Sequence, residues 1–553
     1  MADLHRDDGD ASVPLIAPAS PRHAKPHDVM GYGGEGHHRP PGEPGHVRTL
    51  GLLPLVTLIF FEVSGGPFGT EDAVSAAGPL LTILGFIVFP LLWSVPEALI
   101  TAELATAFPE NSGYVAWVTA AFGPFWGFQE GLWSWLSGVT DNSLYPVMLA
   151  ANLEIFFPQL EGGWTRVCFL VGMSLLLSWL NYRGLTVVGH AVVTSTVAIV
   201  LPFVLLCVLA LPQANVKNFT KVDWESVDWP TFLNVMFWNL NYWDSVSTLA
   251  GEVRDPGRTF PRALLLAVVL VVLMYLLPTL AALGVTAAAG DWSLGFYGYV
   301  AQQVGGPWLA LWVVVAAGCS QVGQYQAEMA SDSYQVQGMA ERGFLPKALG
   351  RRSRHGTPVY GILLSSLGVL CLASMSFVEI VTLLNAIYCL AELLEFAAYV
   401  WLRVKAPHLP RPYRVPLPVW GLVLMLLPAS ALLLVVLAVP FVTGDWPTIL
   451  WTLGAVGLGF VMYPALQFAK KRGWLVFEDM HFDCANVYDR SASGGGSPTC
   501  AATAGAATAN GHGHVHGVVV VAHEECAPLL QGSGSNGDGG ANGAVGGGGS
   551  GSS

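Results

Sequence analysis

The chain has 553 residues, of which 53% are hydrophobic and 11% charged, with a formal net charge of −13 and a mean hydropathy of +0.52. A chain this long and this apolar is excluded from the soluble globular class and belongs in a bilayer. The acidic balance gives no reason to expect a nucleic-acid partner. None of the eight cysteines stands at CxxC spacing, which argues against a zinc site or a disulfide framework.

Residues 1–48 are polar, rich in Pro, Gly and His, and lack the short apolar core of an export signal; they are expected to form a disordered cytoplasmic tail. Runs of about 20 apolar residues, enough to cross a hydrocarbon core of about 30 Å, then recur twelve times up to residue 468. The first run, over 49–77, is interrupted by EVSGGPFGTED at 62–72. In hydrocarbon every backbone polar group must be satisfied internally, so a break survives only when buried in protein or lining a wet cavity. Ser64, Gly65, Gly66, Pro67 and Gly69 are therefore expected to end one half-helix and free its carbonyls. Thr70 is expected to cap a second half whose first turn carries Glu71 and Asp72. Discontinuous helices of this kind hold substrate in secondary transporters.

Further helices are predicted over 79–107, 125–157, 167–182 and 187–211, then 230–251, 263–286, 306–336, 358–376, 378–402, 418–440 and 446–468. Lys and Arg stay with cytoplasmic loops. With both tails inside, 22 of the 25 basic residues fall on the inner side, and only Arg166, Lys217 and Lys221 fall outside. The sequon Asn218-Phe219-Thr220 then lies in an external loop, which makes Asn218 a candidate glycosylation site. Five helices is an odd number, so a second five-helix unit (230–402) is inverted relative to the first (49–211). The inversion demands a second break, and the sixth span reads FWNLNYWDSVSTLAGE, with Asn239, Asn241 and Asp244 at mid-membrane. The expected fold class is an all-α membrane protein of twelve helices over 49–470, a 5+5 inverted repeat followed by two more, with a low-complexity cytoplasmic tail over 471–553. The HGHVHG run at 511–516 fits flexible low complexity better than a metal site.

The spans as drawn hold no Lys or Arg but contain Glu62, Glu97, Glu103, Glu130, Asp141, Asp244, Glu328, Asp332, Glu392 and Glu395. Each acid costs about 2.5–3.5 kcal/mol at mid-membrane, so several without basic partners imply cavities, protonation or a cationic ligand. Gln321, Tyr325, Glu328 and Asp332 share one helix face, as do Glu130, Ser134, Ser137 and Asp141, and a third stripe runs Tyr388, Glu392, Glu395. Simpler roles compete. Glu71 and Asp72 read first as acids stabilising a helix N-terminus. Asp244 either caps the second half of its span or meets substrate. Glu395 is expected to pair with Arg403 or Lys405, and Glu97 and Glu103 to pack as neutral hydrogen-bonded acids. Glu62 stands at the C-terminal end of a half-helix, where the dipole disfavours an anion unless a cation or proton compensates. Trp238, Tyr242 and Trp243 can offer aromatic faces to a cation at the second break. The candidate substrate-binding residues are thus Glu62, Ser64, Gly65, Gly66, Trp238, Asn239, Asn241, Tyr242, Asp244, Tyr325 and Glu328. The candidate proton carriers are Glu62, Glu130, Asp141, Glu328 and Glu392.

Several long motifs carry a family resemblance: GLLPLVTLIFFEVSGGPFGTEDAV at 51–74, PENSGYVAWV at 109–118, WNLNYWDSVSTLAGEV at 238–253, GMAERGFLP at 338–346 and PRPYRVPL at 410–417. Over about residues 49–475 the chain resembles the amino acid/polyamine/organocation superfamily, and within it the plant-type polyamine uptake transporters. The resemblance implies a leucine-transporter-type fold, a central site between broken helices 1 and 6, and proton-coupled uptake of putrescine, spermidine and related cations. Related amino acid exchangers bind a substrate carboxylate at a Gly-Ser-Gly turn, whereas here Ser64-Gly65-Gly66-Pro67 follows an acid, which suits a substrate without a carboxylate. By the same alignment Trp238 stands where exchangers place an aromatic gate.

Polyamine amines, with pKa values near the lysine value of about 10.4, stay charged at neutral pH and call for carboxylates, carbonyl ends and aromatic faces. No P-loop pattern occurs, so an ion gradient is the expected energy source, with no cofactor. The implied partners are a polyamine substrate, protons and the lipid bilayer, probed against two rivals: an amino acid exchanger on the same fold and a nutrient-sensing receptor. The loop IFFPQLEGGWTR at 155–166 contains no Cys for a disulfide-linked heavy chain. No catalytic pattern suggests an enzyme.

Overall fold

The computed structural model describes residues 48–154, 157–286, 292–293, 295–372 and 375–478, so nearly all of both expected tails, with the HGHVHG run, lies outside the described residues. Among those described, the chain is helical, with isolated bridges at Leu50–Val253 and Arg352–Pro358 and no strand.

The first span is broken. Helix α1 (Leu52–Val63) stops where Gly65 and Gly66 adopt φ 61° and 131°, a region open to glycine, and the N–H groups of Ser64 and Gly65 both return to the Phe60 carbonyl at 2.9 Å. Helix α2 (Glu71–Phe89) resumes after the break and bends at Gly78, so its first turns complete the first span and Pro79 begins the second. Thr70 does not cap α2: its hydroxyl donates to the Pro67 carbonyl at 2.7 Å and lies 2.7 Å from the Tyr297 hydroxyl. Glu71 itself accepts from Gly69 N–H (2.9 Å) and Gly295 N–H (3.3 Å), satisfying the exposed donors of the turn.

A π-helical turn, Pro90–Ser94, joins α2 to α3 (Val95–Ala107). There follow α4 (Tyr114–Phe122), α5 (Pro124–Asn142), α6 (Leu144–Glu154), α7 (Gly163–Tyr182), α8 (Leu185–Ala210) and α9 (Trp229–Trp238). After a second break a 3₁₀ segment, Ser245–Glu252, leads to α10 (Pro256–Val285), α11 (Phe296–Gly305), α12 (Pro307–Glu341), α13 (Val359–Leu372), α14 (Phe377–Lys405), α15 (Val419–Thr443) and α16 (Trp446–Arg472). The helix expected without interruption over 125–157 is two pieces, because Pro146 has no N–H to give the Asn142 carbonyl. The short helices α4 and α11 were not anticipated; neither is long enough to cross a bilayer.

Among the described residues, seven helical segments are long and apolar enough to cross a membrane: Glu71–Ala107, Gly163–Tyr182, Val192–Gln213, Pro256–Val285, Phe377–Lys405, Val419–Thr443 and Trp446–Arg472. The remaining expected spans are those with breaks, polar faces or short helices. Helix α12 packs against α8, α5, α13 and α1, while α14 packs against α5 and α15, and α2 against α9. The outer helices α15 and α16 expose Leu424, Leu427, Leu434, Leu450, Leu453 and Val461, an apolar face suited to lipid. At one end of the bundle Arg342 pairs with Glu110, and Arg352 pairs with Glu252 at 2.8 Å, where Asn111 also donates (2.8 Å). Burial pulls the Arg352 pKa down, but the Glu252 carboxylate outweighs it and holds that guanidinium above its ordinary value.

Candidate functional site

The α1 break, the α9 break and the polar faces of α5, α12 and α14 converge on a closed interior in which every acid is at most 3% exposed. Two groups of acids form there. In the first, Glu62 at the end of α1 accepts from the Ser331 hydroxyl of α12, beside Glu328 of the same face. Gly138 of α5 lies against Asp332 and Glu328 so closely that any Cβ would collide with their carboxylates. Three residues on, Asp141 accepts from Trp238 Nε1 at 2.7 Å and from the Tyr145 hydroxyl. The freed carbonyl of Gly65 accepts from the Ser320 hydroxyl at 2.6 Å, and Gln324 fills the space beside Gly65.

The second group surrounds the Tyr388 hydroxyl of α14, which lies 2.8 Å from Glu97, 2.7 Å from Asp244 and 2.9 Å from Glu392. Glu97 also accepts from the Trp243 N–H at 2.8 Å. Glu395 and Glu130 are neighbouring carboxylates with no donor between them, and Glu130 accepts from Ser134 at 2.8 Å.

Tyr242 connects the groups. It holds φ 66°, which is rare for an aromatic residue; among the described residues only Asp255 is the other non-glycine at positive φ. Its N–H donates to Tyr388 at 3.0 Å, its hydroxyl lies 2.7 Å from Ser137, and its ring packs on that of Tyr388 at 4.6 Å. Asn239 ties the two breaks together, donating to Val235 O (2.8 Å) and Gly69 O (3.4 Å), and Asn241 approaches Asn385 at 3.5 Å. Ser64 accepts from Gly66 N–H within its own turn at 3.2 Å.

Other expected residues lie differently. The Tyr325 hydroxyl turns to α7, 2.8 Å from Ser178 and donating to the Ser174 carbonyl at 3.1 Å, within a separate apolar cluster. Trp243 bonds the Leu240 carbonyl at 2.8 Å and packs as structure. Arg403 does not reach Glu395: it pairs with Glu103, which also takes Arg411 (2.9 Å) and the Val415 N–H (2.8 Å). Glu103 is thus a buried acid held between two arginines. Asn218 is 7% exposed, and the amide nitrogen a glycan would occupy donates to Leu283 O (3.0 Å) and Gly284 O (3.3 Å). Ser320, Gln324 and Ser331 were missed because uncharged polar residues in a helix are ordinary. Glu97 and Tyr388 had a visible signal, an acid deep in an apolar run and a tyrosine four residues before Glu392.

A family model described as amino acid permease matches residues 50–460. The chain is 52% identical over 435 residues to polyamine transporter PUT1 of Oryza sativa subsp. japonica, covering 78% of this chain and 81% of that one. It is 46% identical over 474 residues to polyamine transporter RMV1 of Arabidopsis thaliana, covering 85% and 96%. It is 51% identical over 433 residues to a probable polyamine transporter, At3g19553, of the same plant, covering 77% and 89%. This is a family of transporters and not of enzymes, and the chain belongs to the amino acid permease family of the amino acid/polyamine/organocation superfamily.

Proposed function

We infer that the chain is a secondary active transporter that takes up polyamines such as putrescine, spermidine and spermine together with protons. The observation that carries this reading is the set of buried acids around both helix breaks. Among the described residues, no Lys, Arg or His forms an ion pair with Glu62, Glu97, Glu130, Asp141, Asp244, Glu328, Asp332, Glu392 or Glu395. Such a set of unpaired acids is matched by a ligand that brings its own positive charge. The names of the relatives agree. Unpaired carboxylates also suit proton carriage, with Glu62, Glu130, Asp141, Glu328 and Glu392 as candidates.

The fold we propose is the twelve-helix leucine-transporter type, with two inverted five-helix units and both tails cytoplasmic, in the plasma membrane. Glu62, Ser64, Gly65, Gly66, Trp238, Asn239, Asn241, Tyr242, Asp244 and Glu328 line or shape the substrate site, and the turned-away hydroxyl of Tyr325 leaves that residue a supporting role.

Uptake of labelled putrescine, spermidine, arginine and leucine into a transport-deficient cell, at two external pH values, tests the reading. Saturable di- and polyamine uptake, faster at the more acidic external pH, is expected. Equal competition by leucine would replace it with an amino acid exchanger.

A further inference from the structure

Glu97 of α3, Asp244 at the second break and Glu392 of α14 each offer one carboxylate oxygen, all within 4.8 Å of one another. Tyr388 touches all three, but a phenol has a single proton and satisfies a single acceptor. Its own oxygen already accepts from the Tyr242 N–H. Glu97 Oε2 and Glu392 Oε2 have no hydrogen-bond partner. Among the described residues no N–H or O–H donor reaches either oxygen of Glu395, a separate side chain one turn along α14 that is 1% exposed and has the carboxylates of Glu130, Glu392 and Asp244 as its charged neighbours. The region is therefore rich in acceptors and short of donors. A primary ammonium supplies what is missing, three N–H donors and a positive charge on one atom, with the paired rings of Tyr242 and Tyr388 beside it.

Resting on the polyamine reading, we propose that Glu97, Asp244 and Glu392 form a second ammonium site that binds the far amine of a diamine or longer polyamine, while the first amine meets Glu62. Tyr242 sets the separation. Its backbone N–H points to the Tyr388 centre, and its hydroxyl reaches Ser137, next to the Gly138 that faces Asp332 and Glu328. Two acidic groups one tyrosine side chain apart recognise how many charges a substrate carries, which gives a preference for diamines over monoamines.

The test is equilibrium binding of 1,4-diaminobutane and 1-aminobutane to the purified full-length protein, for wild type, Glu97→Gln, Asp244→Asn, Glu392→Gln and Glu62→Gln, each checked for a single folded species. The ratio of the two Kd values is expected to move toward unity by about 10- to 100-fold in each triad variant, the effect of one charge-assisted hydrogen bond. In Glu62→Gln both ligands are expected to weaken together. Three separate triad positions keep the test usable if one variant does not fold. An unchanged ratio in the folded triad variants, or loss of both ligands in equal proportion, would overturn the proposal. So would a changed sensitivity to Mg²⁺ with the diamine preference intact, which would assign the triad to a metal. A wild-type protein that binds neither amine would overturn the polyamine reading itself, a failure distinct from the others.

Discussion

At Tyr242 a bulky aromatic residue is held at φ 66°, a conformation that costs about 1–3 kcal/mol and persists only where surrounding contacts over-determine it. Those contacts are the Tyr388 and Ser137 hydroxyls, so the strained residue is fixed between the two acidic groups. Glu62 is placed differently, at the end of a half-helix whose dipole opposes its charge, with the Ser331 hydroxyl donating to it and Glu328 beside it. If its carboxylate meets an ammonium group, Glu62→Gln keeps the shape and removes a charge-assisted hydrogen bond worth about 1.5–3 kcal/mol. Apparent affinity for putrescine is then expected to fall about 10- to 100-fold, with Glu62→Asp retaining part of it. The measurement is uptake against concentration, normalised to surface protein. Unchanged affinity and unchanged proton dependence would remove Glu62 from the site.

Among the elements, breaks in helices were legible because glycine and proline act locally: Gly65, Gly66, Pro67 and Gly69 end α1 whatever surrounds them. The second break lacks glycine until Gly251, and the expectation of an inverted second unit, not local propensity, pointed to it. Partner choice was not legible. Glu103 finds Arg403 and Arg411 from some 300 positions away, whereas Glu395, two turns from Arg403 on the same helix, does not pair with it. Sequence proximity thus gave the wrong ion pair, since eight residues set Glu395 and Arg403 about 12 Å apart along the helix axis while Glu103 of α3 lies beside Arg403. These two acids separate structural from functional roles. Glu103→Gln strands two arginines and is expected to cost about 3–5 kcal/mol, seen as a lower thermal unfolding temperature and less monodisperse protein. Glu395→Gln, with no basic partner to strand, is expected to leave the unfolding temperature near wild type. Equal losses in the two variants would contradict the distinction.

For the whole molecule, composition was the strongest signal, because bilayer solvation acts on every span at once. The basic residues of the 342–358 loop, including Arg342 and Arg352, lie among ion pairs with Glu110 and Glu252 at one end of the bundle. In the proposed orientation, with that end cytoplasmic, reporters on either tail are expected to read internal, and glycosylation sites engineered into the 342–358 loop are expected to stay unmodified. An external reading from either tail would reverse the orientation.

The central claim is that the buried acids accommodate a polycation whose entry is driven by protons. Purified protein in liposomes, loaded with alkaline buffer and placed in acidic buffer at clamped membrane potential, tests it most directly. Accumulation of labelled putrescine above its external concentration, abolished by a protonophore and little affected by leucine, is the result predicted here. Equilibration without accumulation, or accumulation indifferent to the protonophore, would contradict it.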